Sequence, residues 1–380
     1  MKRRRFLQNA LLGLSGLIVG CRGGGGAGDV GGPPVSDNAL AEGQPLRPLA
    51  ILRNQNAAPG QFSASLAAAP ASEMLRAAPA TPMCLYNRSY PSPLIELTEG
   101  QHAAIRIDNG LPQDTTVHWH GLPVPPSQDG NPMDPVPAGA SRVYEFDLPA
   151  GSAGTYWYHP HPHLNTAEQV ARGLAGPLIV RAGDDPLVHI PEITLFITGV
   201  RLDANAEISA DNAIDWTVGR QNELLLVNGG HRPIHTVRPG ATQRWRILNA
   251  TASRHFRLAL EGHELTLVGT DGGLLAAPIG GLTEILVAPA QRVEIVVSVN
   301  PTPNARYRLQ ALQYETDYLG LGTYADVGHW QPTRRRAPTR LSYPSHCARS
   351  PIWGWPAPAS VSSSAKSPVS ARAAAQRSPS

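Results

Sequence analysis

A chain of 380 residues has room for two domains plus tails. With 37 glycines, 37 prolines, 6% aromatic and 16% charged residues, it fits β-rich, turn-rich domains with loose ends. The net charge of +3 comes with no basic stripe interleaved with aromatics, which argues against nucleic-acid binding.

The first 21 residues read as an address rather than as part of a fold. Arg3-Arg4-Arg5-Phe6-Leu7-Gln8 is a twin-arginine pattern, and the apolar stretch from Ala10 to Val19 is too short to span a bilayer comfortably. Leu17-Ile18-Val19-Gly20-Cys21 has the form of a lipobox; an ordinary cleaved signal with a stray cysteine is the plainer alternative. The expectation is export by the twin-arginine route to the periplasm or the outer side of the membrane. Membrane contact would then come only through a lipid at Cys21. With Cys21 so used, Cys84 and Cys347 make no disulfide framework, and Cys84 among apolar neighbours reads as a buried, inert thiol.

Residues 22–60 are expected to be a flexible linker, Gly-rich at first, with an opening strand somewhere in the Ala- and Pro-rich stretch that follows. Residues 61–183 read as a first β domain. Leu94 to Leu97 precedes the Glu99-Gly100 turn, and His102 to Asp108 precedes Asn109-Gly110. Val143 to Leu148 puts Tyr144, Phe146 and Leu148 on one face and Glu145 and Asp147 on the other. Leu178-Ile179-Val180 closes the block. Short strands, Gly/Pro turns and no long helical period predict an all-β sandwich.

Residues 186–330 read as a second block of the same kind, with strands at Thr194–Val200, Arg244–Ile247, His255–Leu260 and Arg292–Val299. Alternation leaves Arg244 and Arg246 on the outer face. Asp271-Gly272-Gly273 is a turn, and no H-x-H unit occurs in this block. After Trp330 the pattern stops. Residues 331–380 have the composition of a disordered tail, or of an out-of-frame translation of GC-rich DNA.

The chemistry concentrates in two H-x-H units, His118-Trp119-His120 and His159-Pro160-His161. Alternate side chains of a strand share a face, so each unit can aim two imidazoles at one point, and two adjacent strands can bring four. Four imidazoles suit copper or zinc. A lone H-x-H is more often a surface or core histidine; two units in matching surroundings reverse that weighting. Trp119 and Tyr158 would face away from the metal and pack. His163 continues the alternation but matches a ligand position poorly. His102, His189, His231, His235, His255, His263 and His329 lack ligand-like spacing.

Thr116-Val117-His118-Trp119-His120-Gly121-Leu122, Asp129-Gly130, Gly154-Thr155-Tyr156-Trp157-Tyr158-His159-Pro160-His161 and Gly173-Leu174-Ala175-Gly176 together resemble the first domain of multicopper oxidases. That group includes laccases, bilirubin oxidases and bacterial cuprous oxidases. Residues from about 83 to 182 resemble its first cupredoxin domain, and those from about 186 to 330 its middle domain, through Val227-Asn228-Gly229 and Leu260 to Leu274. The resemblance implies tandem cupredoxin-like Greek-key β-sandwich domains with copper as cofactor. His118 would bind the type 2 copper, and His120, His159 and His161 the type 3 pair. Asp129 would be the catalytic carboxylate that helps deliver protons, although a plain turn role is open to it. Dioxygen and a small reducing substrate would be the partners, in one-electron oxidations coupled to reduction of O2 to water.

The family's third domain carries H-x-x-H-x-H and H-C-H-x-x-x-H units, and no counterpart is found in this sequence. His346-Cys347 is followed by Ala348 and reads as coincidence. The type 1 copper ligands would then be absent and the type 2 and type 3 sets partial. The expectation is a chain inactive alone, shortened by truncation or a frameshift near residue 331, or completed by a second chain. The alternative is a non-catalytic copper-binding or scaffold protein of the cell envelope. Four methionines in all give no sign of a cuprous-ion branch.

Overall fold

The computed structural model describes residues 40–76, 78–220, 224–314 and 323–332. The expected signal and lipobox at 1–21, the first part of the linker, the His346-Cys347 pair and the tail from 333 lie outside the described residues.

The first sandwich has eight strands: β1 (Gln61–Glu73), β2 (Thr81–Tyr86), β3 (Ile95–Thr98), β4 (His102–Asn109), β5 (His118–His120), β6 (Ser141–Asp147), β7 (Gly154–His159) and β8 (Gly176–Arg181). They form two four-stranded sheets, in the orders β2-β1-β4-β6 and β3-β8-β7-β5. Alternation decides what fills the space between them. Phe62, Ala64, Leu66 and Ala68 from β1 point inward, as do Ala103, Ile105 and Ile107 from β4 and Tyr144 and Phe146 from β6. Trp119 on β5 is fully buried among them, 5.8 Å from the Tyr144 ring and 5.3 Å from Phe146. Burying a ring of this size contributes on the order of 2–3 kcal/mol, so the short strand carrying two histidines is anchored from its opposite face.

The second sandwich runs from β9 (Glu192–Val200) through β10 (Leu224–Val227), β11 (Gly230–His231), β12 (Ile234–Val237), β13 (Thr242–Asn249), β14 (Phe256–Leu260), β15 (Leu265–Thr270), β16 (Gly273–Leu282), β17 (Ile285–Val287), β18 (Arg292–Ser298) and β19 (Tyr307–Tyr314) to β20 (Thr323–Pro332). Its sheets are ordered β11-β10-β9-β13-β18-β15-β16 and β12-β20-β19-β14-β17. Asp271-Gly272 turns β15 into β16, with Thr270 opposite Gly273. The helices α1 (Thr166–Ala171) and α2 (Ala213–Val218) are short, and no helix among the described residues is long and apolar enough to cross a membrane. The all-β expectation holds.

Of three sequence expectations, the first holds with an added finding and the other two need correction. Arg244 and Arg246 do lie on the outer face of β13, opposite Trp245 and Ile247, yet only 3% and 1% of their surface is exposed. The first sandwich covers that face, and the arginines are paired beneath it. Glu294 on β18 accepts from both: Oε2 from Nε and Nη2 of Arg244 at 2.9 and 2.6 Å, Oε1 from Nη1 of Arg246 at 2.5 Å. Asp185 and Glu192 complete the pairing, at 2.6 Å from Arg244 and 2.8 Å from Arg246. Second, the described part of the expected linker, residues 40–60, is largely exposed but tied down at several points rather than loose. Glu42 bridges to His231, Pro45 to Ile234 and Ile51 to Leu94, while Leu40 and Leu52 are buried. Third, the last strand runs two residues past Trp330, pairing Thr236 with Gln331 and Val237 with Pro332.

Apolar contacts join the two sandwiches. Met83 and Leu85 pack with Val200, Leu202 and Leu226, and Trp157 and Ala175 pack with Phe196 and Leu248.

Candidate metal centre

β5 and β7 run antiparallel, with His118 opposite His159 and His120 opposite Trp157. Their alternate residues, Trp119 and Tyr158, are fully buried in the first sandwich's core, as the period-two pattern requires. The other face therefore gathers His118, His120 and His159, whose ligand nitrogens lie within 4.8 Å of one another.

His161 stands apart from this cluster. β7 ends at His159, because Pro160 has no N–H to continue the ladder. His161 is exposed in the following loop, its ring 5.5 Å from that of His118 and 6.0 Å from that of His159. Its backbone N–H donates to Thr116 Oγ1 at 2.7 Å, which ties the loop to the approach of β5. The expected four-fold convergence from two strands is thus three strand histidines with a fourth beside them. His163, two residues on, is exposed.

Hydrogen bonds set the ring orientations. His118 Nδ1 lies 2.9 Å from the carbonyl oxygen of Asp129, and His159 Nδ1 lies 2.8 Å from that of Pro160. Carbonyls only accept, so both rings carry a proton on Nδ1, which leaves Nε2 as the nitrogen open to a metal. His120 Nδ1 sits 3.2 Å from His159 Nε2 and donates to it in the metal-free protein. Burial, followed by the Arg292 charge, pushes the His120 ring down to about 4; burial likewise pushes His159 down to about 3. Both rings are neutral at physiological pH, the state a metal requires.

Asp129 reaches the site through a tight loop. Trp119 Nε1 donates to Gln128 O at 3.0 Å, one residue before the carbonyl that holds His118. Gly130 makes the approach feasible: its φ is +67°, and a Cβ there would strike the Val117 carbonyl. The Asp129 Oδ1 lies 3.1 Å from His118 Nδ1, but that N–H is given to the carbonyl, and Oδ1 is buried without a hydrogen-bond partner among the described residues. Burial raises the Asp129 carboxyl above the usual carboxylate range, against the pull of the His118 ring.

Trp157 was not singled out by sequence reasoning. Its ring stacks 4.9 Å from His120 and 4.3 Å from His159 and walls one side of the cluster. The same alternation that placed His159 places Trp157, so the signal was present. Arg292, 172 positions from His120 along the chain, carried none. Cys84 is a free, partly buried thiol beside Arg172 and Glu168, raised above its usual range chiefly by burial.

Three imidazoles with no carboxylate among the donors suit a borderline transition metal such as copper or zinc, so the residues present fit the implied copper. Fold and site together define a protein built from β-sandwiches, with an imidazole cluster that could hold a metal on the edge strand β5 of the first and on its neighbour β7. Family models described as multicopper oxidase match residues 71–185 and 155–324. A multicopper oxidase of Campylobacter jejuni, described as a metallo-oxidase, has a similar structure: TM-score 0.77, 35% identity, covering 84% of this chain and 67% of that one. McoA of Aquifex aeolicus gives a TM-score of 0.71 at 27% identity, over 80% and 68% of the two chains. Among curated sequences, the multicopper oxidase mco of Staphylococcus aureus is 32% identical over 225 residues, 57% of this chain and 48% of that protein. The chain belongs to the multicopper oxidase family, and it spans about half the length of the curated relatives it matches.

Proposed function

We propose that the chain is the copper-holding part of a laccase-type oxidoreductase, in which His118 serves a type 2 copper and His120, His159 and His161 serve a type 3 pair. The observation that carries this reading is the cluster of three imidazoles, with a fourth beside it, on two strands anchored from behind by Trp119 and Tyr158. Copper bound here would supply one-electron redox steps linking a reducing substrate to dioxygen. The chain's own residues do the rest. The Nε2 atoms of His118 and His159 are the ones left to hold a cation, which would take the place of the proton shared between His120 Nδ1 and His159 Nε2. Asp129, its carboxyl raised by burial and placed beside His118, is positioned to relay a proton inward. Trp157 keeps water from one side.

The described residues contain no counterpart of a type 1 copper site, so electron entry needs ligands beyond them, on this polypeptide or on a complementing one. A scaffold role without copper has no use for the oriented ring tautomers. The twin-arginine pattern at Arg3 to Gln8 and the lipobox ending at Cys21 support an envelope location.

Copper titration of the full chain tests the reading. Changing both His120 and His159 to Ala should weaken Cu(II) binding by at least about tenfold. Unchanged binding in that variant would refute the ligand assignment.

A further inference from the structure

We infer that Arg292, the first residue of β18 in the second sandwich, is a positioning residue for the two histidine strands of the first, bridging the ends of β5 and β7. The geometry of its guanidinium carries this. Nε donates to the carbonyl of Thr155 on β7 at 2.8 Å, four residues before His159. The same group lies against Gly121, the residue that follows His120: a Cβ at position 121 would strike Nη2. Gly121 has φ +83°, so its backbone and its missing side chain both serve the approach. Arg292 is 4% exposed and fixed from its own side: Nη2 donates to Asp271 O at 3.0 Å, Nη1 pairs with Asp271 Oδ1 at 3.0 Å, and its N–H donates to that Oδ1 at 2.7 Å.

Two more side chains of the second sandwich meet at Thr155. Its hydroxyl donates to Glu294 at 2.6 Å and accepts from Arg246 Nη1 at 2.8 Å. Thr155 is fully buried. β7 is thus held at Thr155 through both side chain and carbonyl, and Arg292 extends that hold to the residue after β5. A buried arginine that only glued two domains would gain nothing from touching both strand ends. Bridging them fixes the distance between His120 and His159, now 5.4 Å between ring centroids. The expected effect on metal affinity rests on the copper reading above; the expected effect on ring placement does not.

The test uses the full chain. The imidazole 15N resonances of His120 and His159 are recorded without metal, and Cu(II) affinity is then measured by chelator competition. The variants are Arg292→Met, Arg292→Lys and Asp271→Asn, with Arg257→Met as a control remote from the site. The inference expects shifted signals for both rings in the two Arg292 variants, a smaller shift in Asp271→Asn, none in Arg257→Met, and Cu(II) binding weakened about tenfold or more in Arg292→Met. Unmoved ring signals in a folded Arg292→Met chain would overturn it, as would full restoration by lysine, which keeps the charge but cannot span both strands. Should Arg292→Met not fold, Asp271→Asn decides by the same signals. Shifted rings in a protein whose copper binding ignores His120 would sink the copper reading and leave the positioning inference standing.

Discussion

At the scale of single residues, the site depends on keeping imidazoles neutral. The unfolded chain takes up protons on His120 and His159 as pH falls below the ordinary imidazole value of 6.5, whereas the folded chain resists until about 4 and about 3. Between those limits the unfolded state binds more protons, so the metal-free protein loses stability on acidification; well above 6.5 the two rings contribute no slope. Urea unfolding of the metal-free chain at a series of pH values from 7 to 4 reads this directly. The His120→Gln, His159→Gln double variant should show a flatter dependence, and equal slopes would contradict the role given to burial. These rings were legible in the sequence because spacing in a strand translates into direction. Asp129 was legible only through its surroundings, since a Gln-Asp-Gly-Asn stretch looks like any turn until its carbonyl is seen on His118.

At the scale of elements, β5 is three residues long, too short to hold itself. It is held by Trp119 in the core and by the loop at 126–130, whose carbonyls take the ring protons of Trp119 and His118. Gly130 is where that loop touches the chain entering β5. Gly130→Ala puts a side chain at φ +67° against the Val117 carbonyl and should cost about 1–3 kcal/mol. Denaturant unfolding measures the loss, and a variant as stable as the parent would show that the loop moves aside freely. The element reading of the sequence missed one thing, and the reason is local. Treating His159-Pro160-His161 like His118-Trp119-His120 ignored that proline ends a ladder, so the second unit puts one histidine on a strand and the other in a loop.

At the scale of the whole molecule, alternation along β13 correctly assigned sides but could not say what lies against each side. Arg244 and Arg246 are on the outer face and still buried, because another sandwich sits there. A charge in such a place needs its partner. Glu294→Gln leaves both arginines short of one negative charge under full burial and should destabilise the protein by about 3–5 kcal/mol. Calorimetry at neutral pH checks this; a melting temperature unchanged from the parent would mean that Asp185 and Glu192 carry the pairing alone.

The strap formed by residues 40–52 bears on the order in which the structure assembles. It touches β11 and β12 of the second sandwich at His231 and Ile234, and then β3's entrance at Leu94. Its first contacts thus close loops of nearly two hundred residues, whereas β4 meets β6 across a few dozen. Loops that long are closed late, after the nearer pairings have made the surfaces they join. The first described segment to leave the ribosome is therefore among the last to settle. Its docking on β11 and β12 can follow only once the second sandwich has formed the strands it meets.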